Sequence, residues 1–436
     1  MNKQLSNSRR KFIKSAAAMG TLPFLPNSLS RFPEPASYHL ANKPGRIKPA
    51  DPQQKSIIGH YGPWAASLTD DPAPLSFRRD EWNDVDLWRE MARNKLLELV
   101  ALPETGSVPE VLINAKYVYD GLDIEELSWQ LPYGRATEAI LLKPQGAKGP
   151  LPAILGLHDH GGNKYLGKRK ITRVSDDLPD FVIAHQEQSY EGLAWANEIA
   201  KRGYVVLVHD TFAFGSRRIL YQDVTGIEWG ACDVNGKSDA DPDNPVHIDA
   251  YNTWAGEHEH ILSKSLFCGG TTWPGVFLAE DIKALDVLSN RKDVDPDRIG
   301  CGGLSGGGLR TVYLGGMDPR IKCAVCAGFM STWNDFLLNK SYTHTWMTYT
   351  PLLPRYMDFP EILGMRVPLP AIILNNTNDQ LYTLPEMNKA DQILKEIYGK
   401  AGASDHYKSG FYPGPHKFDV QMQHDAFDWF DRWLKN

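Results

Sequence analysis

The sequence is poor in cysteine, in excess positive charge and in long apolar runs. Its 436 residues include only five cysteines, an odd number that argues against a disulfide framework. Cys323 and Cys326 lie inside one apolar run and are predicted to pack in the core, since a zinc site would need a second pair. Cys232 and Cys268 fall in one insertion, and the sequence leaves open whether they pair.

The charge balance argues against a nucleic-acid partner. The net charge is −6, whereas binding to a phosphate backbone needs a basic surface. No dinucleotide fingerprint or Walker loop occurs, so no nucleotide cofactor is expected. Histidines occur at 158–160 and 257–260 without the H-E-x-x-H spacing, and we interpret the second group as a solvated helix face. The sequence therefore predicts neither a metal nor another cofactor.

Residues 1–35 have the pattern of an export signal. The segment Ser8-Arg9-Arg10-Lys11-Phe12-Ile13-Lys14 resembles a twin-arginine motif, and a basic amphipathic N-terminus is the alternative. Gly20, Pro23 and Pro26 interrupt the apolar run that follows, so no stable membrane span is expected. A periplasmic or secreted bacterial protein is the resulting prediction. Residues 36–75 are polar and proline-rich and are predicted to form a tether.

The hydrophobic pattern of residues 76–436 predicts one large α/β domain. Alternating strands over 110–144 indicate an antiparallel entry to a sheet, and from Ala153 onward strands alternate with helices, beginning with a helix over 190–202. Continuous apolar strands, such as 153–157, are typical of a sheet covered on both faces. We therefore predict a mostly parallel central sheet with helices on both faces. Two insertions, about 211–273 and 331–367, are predicted to form a helical and irregular cap.

A nucleophile elbow is the strongest chemical signal. Gly303-Leu304-Ser305-Gly306-Gly307 is a G-x-S-x-G sequence that follows an apolar strand and precedes a helix and another strand. The serine in such a turn occupies strained backbone, and the flanking glycines let neighbouring chain approach closely. Ser305 is therefore predicted to be a catalytic nucleophile.

A serine nucleophile needs a histidine base and a carboxylate that orients the histidine. Asp379 lies just beyond the strand that contains residues 372–374, where sheets of this type place their chemistry, and Asp335 is the rival acid. His416 lies in a loop between the last strand and the last helix. His406 and His424 also follow Asp379. However, His406 begins a predicted strand and His424 lies in the predicted last helix, so both have ordinary structural explanations.

The transition state of acyl transfer also needs two amide donors for its oxyanion. The residue after the nucleophile, Gly306, is predicted to supply one amide. The second is expected from the loop His158-Asp159-His160-Gly161-Gly162, through the backbone of His160 or Gly161. The predicted site thus consists of Ser305, Asp379 and His416 with an oxyanion hole of backbone amides.

With these residues in view, the chain resembles the dienelactone hydrolase/acetyl xylan esterase branch of the α/β-hydrolases over residues 80–436. The resemblance depends on segments 281–300, 304–308 and 318–322, and on 157–162 and 210–218. It departs from the dienelactone hydrolases at Ser305, where they use cysteine, and at Asp159, where the oxyanion loop of the branch commonly has glycine. The resemblance implies an α/β-hydrolase fold and action on acylated sugars or polysaccharides.

Together these features predict an exported serine esterase that deacylates, and most simply deacetylates, a carbohydrate ester. The cap insertions contain aromatic residues that could stack on sugar rings or form the cap's own core: Trp229, Trp254, Trp333, Trp346, Tyr251, Tyr342 and Tyr349. The alternatives are a glucuronoyl methylesterase or other small-ester hydrolase, a catalytically silent carbohydrate-binding relative, and a serine peptidase of the prolyl oligopeptidase type. No N-terminal repeat supports the last of these. The oligomeric state stays open.

Overall fold

A computed structural model describes residues 55–224, 226–227, 229–240 and 244–435. The predicted export signal, residues 1–35, and the first part of the predicted tether lie outside these ranges. In the described part of the tether, Gly62–Ala66 forms a short helix, and Ala73 and Leu75 are buried. Among the residues that the structure describes, no helix combines the length and apolar character needed to cross a bilayer.

The described residues form a nine-stranded sheet in the order β1-β2-β3-β5-β4-β6-β7-β8-β9. The first pairings, β1 with β2, β2 with β3 and β3 with β5, are antiparallel, and all the others are parallel. This confirms the predicted mostly parallel sheet with an antiparallel entry. The strands are β1 Leu112–Tyr119, β2 Leu122–Trp129, β3 Thr137–Pro144, β4 Leu151–Gly156, β5 Val205–His209, β6 Val294–Leu304, β7 Ile321–Ala327, β8 Ala371–Asn376 and β9 Tyr407–Tyr412.

Helices cover both faces of the sheet. They are α1 Gly62–Ala66, α2 Val85–Val100, α3 Asp180–Tyr190, α4 Trp195–Lys201, α5 Pro245–Cys268, α6 Trp273–Ser289, α7 Gly306–Met317, α8 Trp333–Asp335, α9 Phe359–Gly364, α10 Leu384–Lys400 and α11 Val420–Leu434. Short 3-10 turns occur at Gly59–Tyr61, Lys168–Lys170, Gly215–Arg217, Tyr221–Asp223, Gly230–Cys232, Ser341–Thr343, Trp346–Thr348, Leu353–Arg355 and Ser404–His406, and a π turn at Phe336–Lys340. Polar caps mark several helix starts: Asp84, Thr272 and Asp419 each accept backbone N–H groups in the following turn.

The two faces of the sheet have separate apolar cores. Leu155 belongs to the core beneath α2, α6 and α7, whereas its neighbour Ile154 belongs to the core beneath α4 and α11. Cys326 and Cys323 divide between the two cores in the same way, so both are packing residues. Because successive side chains of a strand point to opposite faces, continuous apolar strands are what such a sheet requires.

Two predictions of local structure were wrong. The helix expected over 190–202 is divided between α3 and α4, because Glu191 and Gly192 have left-handed backbone, with φ of 55° and 82°, and end α3. The apolar spacing of Val420, Phe427, Phe430 and Leu434 predicts one buried stripe on the last helix, but Val420 is exposed and the buried stripe of α11 begins at Met422.

The two insertions have different structures. The first contains the long helix α5, which packs Tyr251 and Trp254 against Tyr221 in a small apolar cluster of the insertion's own. The second consists of short helical turns from α8 to α9. Cys232 ends the 3-10 turn Gly230–Cys232 and Cys268 ends α5. Both are free thiols.

Candidate active site

Ser305 occupies a strained turn between β6 and α7. Its backbone has φ 56° and ψ −114°, a conformation that costs a non-glycine residue on the order of 1–3 kcal/mol. The turn can pack closely against the neighbouring backbone only because the flanking residues are glycines, which have no Cβ. A Cβ at either Gly303 or Gly307 would lie 2.0 Å from the carbonyl oxygen of Leu157. The geometry is that of the nucleophile elbow predicted from the sequence.

Asp379 and His416 meet at the same edge of the sheet. Asp379 follows β8 and His416 follows β9, and His416 Nδ1 lies 2.6 Å from Asp379 Oδ2. The second carboxylate oxygen, Oδ1, accepts the amide of Leu381 at 2.9 Å. The loops themselves are joined by backbone hydrogen bonds, including Asn378 N to Gly414 O at 3.1 Å. The bond to Nδ1 leaves Nε2 as the ring nitrogen available for a reacting group.

The rival candidates have other partners. Asp335 is fully buried, and its two carboxylate oxygens accept the amide and the hydroxyl of Thr383 at 2.9 and 2.8 Å, with further bonds from Ser331 and Asn339. His406 contacts the carbonyl of Pro368 and packs on Trp433. His424 is exposed and lies 3.4 Å from Asp428.

One cavity of about 390 Å³ contains Ser305 and His416 in its lining. Gly306, His160 and Gly161, the predicted oxyanion residues, also line it. The first insertion contributes Gly256 and Glu259 to the wall, and the second contributes Thr343, His344, Thr345 and Thr348. Burial lowers the pKa of His344 to about 4, so this imidazole is neutral and its Nε2–H donates to the carbonyl of Leu381 at 3.0 Å.

The loop after β4 lies directly against the elbow. A Cβ added to Gly306 would lie 2.8 Å from the amide nitrogen of His160, which shows how closely the two segments approach. At Gly161 an added Cβ would instead meet the side chains of Asp159 and His185, at 2.3 and 2.7 Å. Of the two amides considered from the sequence, that of His160 is thus shown to adjoin Gly306.

The interpretation of residues 257–260 as a solvated face was wrong. His258 and Glu259 are buried. Glu259 Oε1 lies 2.6 Å from His160 Nε2 and 2.5 Å from Lys164 Nζ, and Oε2 accepts Thr345 Oγ1 and Trp346 N at 2.7 and 3.0 Å. Burial alone would raise the pKa of Glu259, but His160 and Lys164 hold it well below its usual value.

The contacts of the His160 ring determine its tautomer. Burial and the neighbouring Lys164 lower the pKa of His160, so the imidazole is neutral. The amide of Gly162 donates to Nδ1 at 3.1 Å, and therefore Nε2 carries the proton that is donated to Glu259. His160 is thus a structural partner of Glu259 and not a base for Ser305. Nothing in the spacing of the sequence signals this contact.

The aromatic residues of the cap insertions that were expected to stack on sugar rings do not line this cavity. Tyr251 and Trp254 pack on Tyr221 within the first insertion, and Trp333 packs on Phe359 with 3.9 Å between ring centroids. Among the lining residues that the structure describes, the phenyl and phenol rings are instead Phe329 and Tyr382. The expected stacking surface is therefore mostly the core of the cap itself, and Trp229 and Tyr342 are largely exposed side chains.

The sheet order, the elbow and the placement of Asp379 and His416 after β8 and β9 define an α/β-hydrolase fold, as the sequence predicted. A model of the prolyl oligopeptidase family matches residues 270–364, a segment that includes the elbow. YtaP of Bacillus subtilis, a provisionally assigned hydrolase, is 27% identical over 316 residues, which are 71% of this chain and 88% of YtaP.

Solved structures with the same fold include two enzymes named for carbohydrate esters. A Bacteroides fragilis protein provisionally assigned as an acetyl xylan esterase superposes with a TM-score of 0.59 at 19% identity, covering 82% of this chain and 83% of that one. A glucuronoyl esterase from Solibacter usitatus gives 0.54 at 14% identity, covering 83% and 97%. At these identities the likeness establishes the fold.

Proposed function

We propose that this chain is a serine carboxylic-ester hydrolase that acts on a carbohydrate ester. The observation that carries the proposal is the 2.6 Å bond between His416 and Asp379 at the edge of a cavity that also exposes Ser305 on a strained elbow. A carboxylate that accepts from Nδ1 keeps Nε2 unprotonated and stabilises the imidazolium formed during catalysis. Activation of a serine hydroxyl needs this arrangement.

The reaction would proceed through an acyl-enzyme. His416 takes the proton of Ser305 as its oxygen attacks the ester carbonyl, and the amides of Gly306 and His160 stabilise the oxyanion. Collapse of the tetrahedral intermediate expels the alcohol, which receives the proton from His416. Water activated by His416 then attacks the acyl group, and the free acid leaves with Ser305 restored. Apart from the ester and one water molecule, these steps use only Ser305, His416, Asp379 and the two backbone amides.

The substrate class is supported by the cavity and by the structural neighbours. A volume of about 390 Å³ suits a ligand the size of one or two sugar rings. The hydroxyls of Thr343 and Thr345 already donate to the Lys340 carbonyl and to Glu259, so they would act as acceptors toward a sugar, while Leu309 and Phe329 offer an apolar side. Acetate is the acyl group that we propose first, and a methyl glucuronate ester second, because the neighbours are named for these two classes. Periplasmic or secreted action follows from the proposed export signal.

A serine peptidase is the second candidate, because the prolyl oligopeptidase model covers the elbow segment. Both candidates use Ser305, so inhibition alone does not separate them. The turnover of different substrates separates them. The same enzyme should be assayed on acetylated xylo-oligosaccharides, methyl glucuronate esters, p-nitrophenyl acetate and proline-containing peptides.

The proposal is tested by labelling and by substitution. A fluorophosphonate should label Ser305, and Ser305→Ala should lose both labelling and turnover. Ser67→Ala, which removes an exposed hydroxyl on the surface, is the matched control and should keep both. Faster cleavage of peptides than of any ester would support the peptidase, and no labelling of Ser305 would contradict both candidates.

A further inference from the structure

Lys170 has an environment that is unusual for a lysine. It lies in the 3-10 turn Lys168–Lys170, and its side chain is fully buried. Its ammonium donates to the carbonyl oxygens of Asp159 and His160 at 2.6 and 2.7 Å. The carboxylate of Asp159 is 3.4 Å away, and the ring of Phe214 lies 4.9 Å from the ammonium. Burying a charge costs stability, so an apolar side chain would serve packing better.

The two carbonyls belong to the peptides that would form the oxyanion hole. In a trans peptide the C=O of one residue and the N–H of the next point in opposite directions. The carbonyl of Asp159 is held by Lys170, so the amide of His160 points away from Lys170, and that nitrogen is the one packed against Gly306. The carbonyl of His160 is held in the same way, which orients the amide of Gly161.

We infer that Lys170 is the positioning residue of the oxyanion hole, a conclusion that rests on the proposed function. Its ammonium fixes the peptide between Asp159 and His160 with the amide toward the elbow. A peptide whose carbonyl accepts from a cation is also a stronger N–H donor, because hydrogen bonds in a chain polarise one another. Lys170 touches no reacting atom and acts only through the backbone.

A second buried cation supports the same loop. Arg310 from α7 is buried and donates to the carbonyl of His158 at 3.4 Å while it is paired with Asp281 at 2.6 Å. The carbonyls of three successive residues of the loop are therefore drawn toward cations beneath it. Lys170 holds the two peptides whose amides belong to His160 and Gly161, the predicted oxyanion donors.

The test compares Lys170→Met with Lys168→Met in the full chain. Lys168 lies in the same turn and pairs with buried Asp210 at 2.9 Å, but it does not hold the oxyanion loop's carbonyls. Loss of an oxyanion donor costs about 10²–10³-fold in kcat, so we expect Lys170→Met to approach this loss with KM changed less than about threefold. Lys168→Met should keep kcat within about threefold. Lys170→Arg, which keeps a cation, should recover part of the loss.

Binding of an aryl boronic acid gives a readout that a purely structural role would not move. Its tetrahedral adduct with Ser305 places an oxygen in the oxyanion hole, so Lys170→Met should weaken its inhibition by about the factor lost in kcat. If Lys170→Met does not fold, Lys170→Gln supplies a neutral side chain for the same measurements. Unchanged kcat, or equal losses in the Lys168 and Lys170 variants, would refute the inference. A wild-type enzyme without turnover or labelling would refute the proposed function itself.

The pH profile provides an independent check. Burial lowers the pKa of Lys170 to about 8, against the opposing effect of Asp159. The ammonium is present below this pH and lost above it, so activity should decline as pH rises through about 8. The charged or titratable groups that face Lys170 include Asp159, Lys164 and Arg310, and the imidazoles of His158 and His160. In Lys170→Arg the alkaline decline should move to higher pH; an identical decline in both enzymes would assign it to another group.

Discussion

Glu259 joins three parts of the chain, and its neutralisation should therefore cost more than that of any exposed glutamate. Its carboxylate contacts His160 and Lys164 from the loop region after β4, and Thr345 and Trp346 from the second insertion. Glu259→Gln keeps the shape but leaves the Lys164 ammonium, which is 4% exposed, without its anionic partner. Removal of one member of a buried ion pair costs about 3–5 kcal/mol.

We expect Glu259→Gln to lower the free energy of unfolding by about 3 kcal/mol, because the amide oxygen still accepts some of the hydrogen bonds. The measurement is urea denaturation followed by tryptophan fluorescence, with the melting temperature as a second measure. Glu257→Gln is the matched control on the same helix: Glu257 is exposed, so its change should stay within about 0.5 kcal/mol. The reasoning would be refuted if the two variants were equally stable.

Three further predictions concern the acid of the triad, the elbow and the effect of a metal chelator. Asp379→Asn should lower kcat by about 10⁴-fold because the imidazole adopts the wrong tautomer, whereas folded Asp335→Asn should stay within about tenfold; the reverse result would reassign the acid. Gly307→Ala places a Cβ 2.0 Å from the Leu157 carbonyl and should destabilise by about 1–3 kcal/mol in urea denaturation, whereas Gly399→Ala, in an open helical position, should stabilise by up to about 1 kcal/mol. Esterase activity should survive EDTA, and its loss would contradict a mechanism that uses only side chains and backbone.

Much of the site could be predicted because its signals are local. The glycines around Ser305 describe a turn that few other sequences can adopt, and their role requires only the neighbouring strand. Asp379 and His416 are distant in sequence, but each follows a strand of a parallel sheet. The carboxyl ends of such strands share one edge, so their meeting follows from topology. The break after Tyr190 also had a local signal in Gly192, although the apolar spacing concealed it.

The sequence by itself therefore determined the sheet, its two apolar faces and the elbow, because strand burial and turn geometry depend on neighbouring residues. The tertiary structure alone decided which charged residues are buried. Glutamate and lysine are residue types that usually lie at the surface, because burial of an isolated charge is costly. From the sequence alone, Glu259 and Lys170 would therefore be expected to be exposed. Glu259 is buried because Lys164 and Thr345 converge on it from 95 and 86 residues away. Lys170 is buried because the loop after β4 turns two carbonyls and the carboxylate of Asp159 toward its ammonium. Such convergence is a property of the folded chain, and no spacing along the sequence encodes it.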